Sequence, residues 1–403
     1  MRILHVIHRY PPAIGGSESW CAGIARWQAD RGHEVTVLTL RAVEEDELWD
    51  GPGAGSIAVG SADLDRGVRI VRCAVGRPGA ALRAMLGRLD LWAWTGALSA
   101  ELAATAVRLA RASDIVHAHT VPLAHTYMAW LAARLARRPL LVTPHFHAAD
   151  PVHGQPSVRS LLRHADRVFV MTAAERAALA AHGVSADRLV EVTNAIEPVT
   201  IDAAARASTR RALGVDPSVP LVCFLGRKAR TKGIEVLLAA LPLVRHRPAP
   251  VLVLAGPATS WYRTVKLPTC GVRIVDVPTL PHGAKSTLLA AADLLVLPSR
   301  HEAFGIVFLE AWAAGTAVLG TDVPAVREAI RDAGTTFRAD DPGDLAARID
   351  AALADPEERA RQVMRGRSRI ETSHTWDRVG SLVDAAYRSV LSRHMRVAPG
   401  GAT

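Results

Sequence analysis

Apolar positions along this chain fall into two alternating rhythms: short β-branched runs, then longer stretches in which apolar residues recur at helical spacing. Turn residues separate each run from the stretch after it, which is the order of parallel βαβ units. The first unit opens with Ile3–Ile7, turns at Pro11 to Gly16, and continues as a helix from about Ser17 with Trp20, Ile24 and Trp27 on one face, closed by Gly32. Further strands are predicted at Val35–Leu40, Val68–Cys73, Ile115–Ala118, Leu140–Thr143, Val168–Met171 and Leu189–Val192, with helices at about Ser99–Ala112 and Ala124–Ala136. A second series begins at strand Leu221–Leu225 and runs through helix Ile234–Val244 and strands Val251–Ala255 and Val272–Asp276. It continues through helix Lys285–Ala291, strand Leu294–Leu297, helix Ile306–Ala314 and strand Ala317–Gly320, and a last helix lies at about Trp376–Arg393.

Between the two series lies a polar, Ala- and Arg-rich segment punctuated by Pro198, Pro217 and Pro220. The expected fold class is therefore α/β, with two doubly wound domains. Residues 1–196 form the first, 197–216 a linker, 217–373 the second, 374–395 a C-terminal helix and 396–403 a disordered tail. In such folds ligands bind outside the carboxyl ends of the strands, where the βα turns are.

Composition narrows the function classes. A length of 403 residues supports two separate cores. Apolar residues make up 49% and charged residues 22%, a globular balance. The net charge of +9 is Arg-rich and falls mainly in the second half, without the basic and aromatic interleaving of a nucleic-acid binder, so no nucleic acid is expected as partner. Glu101 and Asp293 interrupt the two longest apolar stretches, so no membrane span is expected. The N-terminus lacks the sections of a secretion signal, and a cytoplasmic location follows. Cys21, Cys73, Cys223 and Cys270 are widely separated and read as buried, reduced thiols.

Two constellations carry candidate chemistry. In Pro298-Ser-Arg-His-Glu-Ala-Phe-Gly-Ile-Val-Phe-Leu-Glu310 a buried strand leads through a loop into a helix. The backbone around Phe304, Gly305 and Ile306 then offers free N–H groups and the positive end of a helix dipole, which suits a diphosphate. Glu302 sits in the loop before that start; Glu310, about one turn in, can accept hydrogen bonds from ribose hydroxyls. The bland reading makes both solvated acids, but apolar Ile306, Phe308 and Leu309 argue for a largely buried helix. The second constellation, Leu225-Gly-Arg-Lys-Ala-Arg-Thr-Lys-Gly233, crowds cations into a strand-to-helix turn, where Arg227 and Lys232 can converge on a diphosphate. Neither a Walker pattern nor GxGxxG is present.

Gly226-Arg227, Lys232-Gly233 and the Glu302 to Glu310 spacing together resemble the donor-site signature of the family 4 glycosyltransferases. The N-terminal half is similar too, in Gly15-Gly16-Ser17-Glu18, in Arg31-Gly32-His33-Glu34-Val35 and in Thr143-Pro144-His145. The resemblance implies a GT-B fold: two Rossmann-like domains facing a deep cleft, with the final helix from Trp376 crossing back to the first domain. It further implies a retaining, metal-independent transfer of sugar from a nucleoside diphosphate sugar, a co-substrate and not a cofactor, to a hydroxyl on a saccharide, small molecule or lipid carrier. Arg227 and Lys232 would clamp the diphosphate, Glu310 hold the ribose and Glu302 contact the sugar. Gly16 would let backbone approach the phosphate, and His145, across the cleft, would meet the sugar and the attacking hydroxyl. The chain departs from the family pattern at Ala303, Asn194-Ala195, Ala317 and Pro324-Ala325, which bears on loop shape and on base and sugar preference. The alternatives are a sugar-nucleotide epimerase or hydrolase on the same plan, or a non-enzymatic nucleotide-sugar-binding subunit.

His117-Ala-His119 and His145-Phe-His147 invite a metal reading, since alternate strand residues point the same way. No Cys or acid near them in sequence completes a site, so no metal is expected and both pairs are placed at strand ends facing the crevice; His5, His33 and His246 read as structural or solvated. Residues 66–94 combine six arginines with Leu82, Met85, Leu86, Leu89, Trp92 and Trp94. Such a stretch can lie peripherally on an anionic membrane, but the apolar spacing fits packing on the sheet equally well, with Arg83 and Arg88 in water.

Overall fold

The computed structural model describes residues 1–50, 63–76, 85, 96–147, 150, 152–199, 203–278, 280 and 283–397. The chain divides into two compact units, Met1–Asn194 with Trp376–Thr403, and Ala195–Thr375.

The first unit is built on strands β1 (Arg2–Val6), β2 (Glu34–Leu40), β3 (Asp63–Asp65), β4 (Val68–Cys73), β5 (Ile115–His119), β6 (Leu140–Thr143), β7 (Arg167–Val170) and β8 (Leu189–Glu191). Among the described residues their order is β3-β4-β2-β1-β5-β6-β7-β8, parallel except for the antiparallel edge strand β3. Leu4, Val6, Leu38, Val116, Val142 and Val168 are all completely buried, as strands covered by helices on both faces require. The order reverses between β1 and β5, so the loops leaving those strands open at the switch point.

The second unit carries β9 (Leu221–Leu225), β10 (Val251–Ala255), β11 (Arg273–Val277), β12 (Leu294–Leu297), β13 (Ala317–Thr321) and β14 (Thr335–Phe337). Their order is β11-β10-β9-β12-β13-β14, parallel throughout, with its own reversal between β9 and β12. Two parallel-sheet α/β units of this kind make the GT-B plan that the sequence resemblance implied.

Some elements differ from the periodicity reading. The segment read as a linker contains a helix, Ala203–Ala212. Arg210 donates to the Ala291 carbonyl at 2.8 Å, and Arg206 bonds Asp293 at 2.8 Å, so the pair caps the end of helix Ala284–Ala291. Its Ala-rich contact face carries no large apolar signal, which hides it from a periodicity search. Helix Ile234–Ala240 ends early because Pro242 leaves the next turn, Leu241–Leu243, as 3₁₀. The last helix, Trp376–Val397, packs on the first, Gly16–Asp30, through reciprocal Trp–Gly contacts. A Cβ on Gly23 would lie 1.8 Å from the Trp376 ring, and one on Gly380 2.3 Å from Trp27. Trp27 Nε1 also donates to Asp377 at 3.0 Å.

Among the described residues no helix is long and apolar enough to cross a membrane. Of the 66–94 stretch, Leu82, Arg83, Leu86, Arg88, Leu89, Trp92 and Trp94 lie outside the described residues. Arg72 is turned inward, bonded to Asp63 at 3.1 Å and to the Pro11 carbonyl at 2.6 Å, so it offers no charge to a surface. Cys21, Cys73 and Cys223 are buried thiols, whereas Cys270 is only half-buried.

Candidate active site

In the second unit the two sequence constellations meet at the reversal between β9 and β12. Gly233 makes this contact: its φ of 64° is left-handed, and a Cβ there would lie 1.9 Å from the Pro298 carbonyl oxygen. Only glycine permits both the turn and the approach. Arg300 fastens the loop further, its N–H donating to Thr231 O at 3.0 Å and its guanidinium to Arg230 O at 3.0 Å, with Glu235 and Asp340 as ionic partners. The result places Lys232 Nζ 2.8 Å from Glu302 Oε2, joining one predicted cation to one predicted acid from positions 70 apart. Arg227 lies half-buried in the loop leaving β9.

The helix beyond this loop begins at Ile306, with Gly305 as its left-handed N-cap at φ 87° and no side-chain cap. Its first N–H groups are therefore not taken by a capping side chain. Phe304 is turned inward, 4% exposed, with its ring 5.5 Å from that of His374, so any contact it makes with a ligand is through backbone. Glu310 pairs with Lys285, at the start of the neighbouring helix Ala284–Ala291. The sequence reading missed Lys285 as a partner; the signal was its rarity, since only four lysines occur in the chain.

In the first unit Gly16 is the first residue of its helix and Gly15 the N-cap. The tight approach is at Gly15, where a Cβ would lie 2.0 Å from a Glu18 carboxylate oxygen. Glu18, 1% exposed, bonds Arg9 at 2.6 Å, His8 at 3.3 Å and the Ser17 hydroxyl at 2.8 Å. Burial alone would push its carboxyl up; the charge of Arg9, with His8 and Ser17, outweighs that and holds it well below the usual carboxylate range. The sequence singled out neither Arg9 nor this network.

His145 follows β6 with φ 48°, a left-handed conformation that is uncommon for residues other than glycine, and its buried Nε2 has no hydrogen-bond partner among the described residues. Burial pulls its pKa down to about 4, against the opposing pull of Glu18. The ring is thus neutral at pH 7.

The other histidines correct the sequence reading. His117 and His119 do not face a crevice; with His5 they are completely buried on the adjacent central strands β5 and β1. His5 Nδ1 and His119 Nε2 share a hydrogen bond of 2.8 Å, and His5 Nε2 meets Gln28 Oε1 at 2.8 Å. His117 bridges the Tyr387 hydroxyl at 2.6 Å and Thr143 Oγ1 at 2.7 Å. The tertiary fold also supplies the cysteine that sequence spacing did not: ligand atoms of His5, Cys21 and His119 lie within 4.8 Å of one another. The shared hydrogen bond accounts for the nearness of the two imidazoles.

This buried set makes stability pH-dependent. Burial lowers the pKa of His5 and His145 to about 4 and of His125 to about 3, from 6.5 unfolded. Their contribution is fully present above pH 6.5 and is lost as pH falls, because the unfolded chain binds protons that the folded one refuses. Thermal unfolding at pH 7.5 and 5.0 should show a lower Tm at the acid value, and His145→Gln should reduce that difference; a flat profile refutes the assignment.

Comparisons with known proteins agree with this architecture. A family model for glycosyl transferases group 1 matches residues 205–369, and one for a glycosyl transferase 4-like domain matches residues 15–195. D-inositol 3-phosphate glycosyltransferases are similar at 31% identity, from Nocardia farcinica over 62% of this chain and 61% of the relative, and from Geodermatophilus obscurus over 71% and 70%. The chain thus spans under two thirds of the first relative's length. A crystal structure of Anabaena HepE in complex with UDP and glucose shares the fold, with a TM-score of 0.74 at 20% identity, covering 96% of this chain and 100% of that one. The chain belongs to the family 4 glycosyltransferases, enzymes of the GT-B fold.

Proposed function

We propose that the protein is a retaining, metal-independent transferase that moves a sugar from a nucleoside diphosphate sugar to a hydroxyl of a saccharide, small molecule or lipid carrier. The observation that carries this reading is the Lys232–Glu302 pair at 2.8 Å, held at the open N-terminus of helix Ile306–Ala314. A cation, a carboxylate and a set of free N–H groups there match what a diphosphate and the sugar beside it require. UDP in the similarly folded HepE structure, and sugar transfer in the names of the relatives, support it.

In this mechanism Arg227, Lys232 and the N–H groups near Gly305 and Ile306 take up the negative charge that grows on the departing diphosphate, as fixed dipoles and cations already in place. Their charges do the work a bound cation would otherwise do. Glu302 exchanges its bond with Lys232 for the sugar hydroxyls as the glycosidic bond lengthens. Glu310 and Lys285 bracket the ribose. Attack comes from the face the diphosphate leaves, and its oxygen takes the acceptor's proton, so the anomeric configuration is kept. In the first unit Gly16 opens its helix without a side chain to screen the backbone, and His145 stays neutral at pH 7; the left-handed backbone that holds it is the kind of local strain that marks functional positions.

The test is incubation with UDP-, GDP- and ADP-sugars and candidate acceptors, with and without a chelator, followed by NMR assignment of the product anomer. Acceptor-dependent release of nucleoside diphosphate, unchanged by chelator and with retained configuration, is expected. An inverted product, a metal requirement, or sugar release to water alone in the presence of every acceptor refutes the reading.

A further inference from the structure

Lys228 stands between the two predicted phosphate cations in sequence, yet its side chain is completely buried, an unusual state for lysine. It pairs with the Asp276 carboxylate, donates to Val277 O at 3.1 Å, and lies 5.1 Å from the centre of the Tyr262 ring. The Tyr262 hydroxyl donates to the second Asp276 oxygen at 2.9 Å. Three successive strand ends are thereby tied together: Lys228 follows β9, Tyr262 follows β10, and Asp276 is near the end of β11. Gly256 seals the same edge, since a Cβ there would lie 2.2 Å from Gly226 O. Burying a charged pair costs desolvation, and an apolar set of similar volume would pack such a floor equally well. What the charges provide in addition is a carboxylate fixed in orientation, whose side chain stays 36% exposed.

This carboxylate lies where the nucleoside end of the donor should fall, on the reading of the second unit as the donor site. The diphosphate sits at the β9 and β12 ends. Glu310 and its partner Lys285 come next, and Lys285 belongs to the helix that begins just after the loop leaving β11. A nucleotide running past Glu310 therefore arrives at the end of β11, where Asp276 is. With one lone pair on each oxygen already used, the carboxylate has one on each left to accept. It suits a base edge with two adjacent N–H donors, which guanine presents at N1 and N2. Uracil offers one N–H between two carbonyls, and adenine an amino group beside a bare ring nitrogen; each would set an acceptor against the carboxylate.

We propose that Asp276, pinned by Lys228 and Tyr262, is a specificity residue for the donor base and selects guanosine diphosphate sugars.

Calorimetric titration of the full chain with GDP, UDP, ADP and inorganic pyrophosphate tests this. GDP should bind at least ~10-fold more tightly than UDP or ADP, about what a bidentate base contact discriminates. Asp276→Asn should remove that preference while leaving pyrophosphate affinity close to wild type in the folded protein, and because it strands the buried Lys228 ammonium it should lower Tm. Tyr262→Phe, which frees one carboxylate oxygen without disturbing the ion pair, should weaken GDP several-fold and spare UDP, and it decides the matter if Asp276→Asn does not fold. Tighter binding of UDP or ADP by the wild type overturns the guanine assignment and leaves the donor site standing. Parallel loss of all three nucleotides and pyrophosphate in both variants makes the cluster a structural floor and overturns the proposal as well. Failure of the wild type to bind any of the four probes refutes the donor site itself.

Discussion

Replacing Lys232 with alanine is expected to lower kcat/KM for sugar transfer by roughly two to three orders of magnitude, the range seen when one preorganised group facing developing charge is lost. The nitrogen serves two partners in turn. In the free protein it holds Glu302 at 2.8 Å; in the proposed mechanism it faces the leaving diphosphate once donor is present. Glu302→Gln removes the other half and should cost a similar factor, and since each single change already breaks the same pair, the double variant should lose less than the two losses combined. Both side chains are partly accessible, at 23% and 15%, so the fold should tolerate either change, with Tm near wild type. Steady-state kinetics on the four proteins gives the coupling. Activity within threefold of wild type in either single variant, or strictly additive losses, would remove the pair from the mechanism.

Gly233→Val should be the most damaging substitution at a residue that donates no chemistry. Two costs combine: a left-handed φ of 64°, and a Cβ placed 1.9 Å from a backbone carbonyl that has no flexible end to move. The conformation alone costs about 1–2 kcal/mol, and displacing the Pro298 strand end raises the total to roughly 3–5 kcal/mol. The same displacement separates Lys232 from Glu302, so donor affinity should fall even in protein that remains folded. Gly32→Ala is the matched control, with φ 78° but nothing within 4 Å of the new Cβ, and should pay only for its backbone. Chemical denaturation of both variants separates the two costs; equal destabilisation would mean that the contact with Pro298 contributes nothing.

The histidine assignments show how much a local pattern can carry. Alternation along β5 correctly placed His117 and His119 on one side of their strand. It could not say whether that side faced ligand or core. The answer depends on His5 and Tyr387, which reach the rings of His119 and His117 from 114 and 270 positions away in the chain. Cys21 shows the same limit, since its nearness to His5 and His119 has no trace in spacing. Helix Ala203–Ala212 was missed for a different reason. Its stability comes from arginines capping a neighbouring helix, a contribution that leaves no apolar rhythm.

The sequence by itself determined the two series of βα units, the start of the helix at Ile306 and the turn at Lys232-Gly233, because short-range sterics fix all of these. A glycine where φ is positive, a β-branched run, and an apolar stretch at helical spacing each act within a few residues of themselves. Tertiary structure alone decided the pairings: Lys232 with Glu302, Lys285 with Glu310, Lys228 with Asp276, and Glu18 with Arg9. Charges attract without regard to sequence distance, so which cation meets which carboxylate is settled only when parallel strands bring the ends of separate loops to one edge of a sheet.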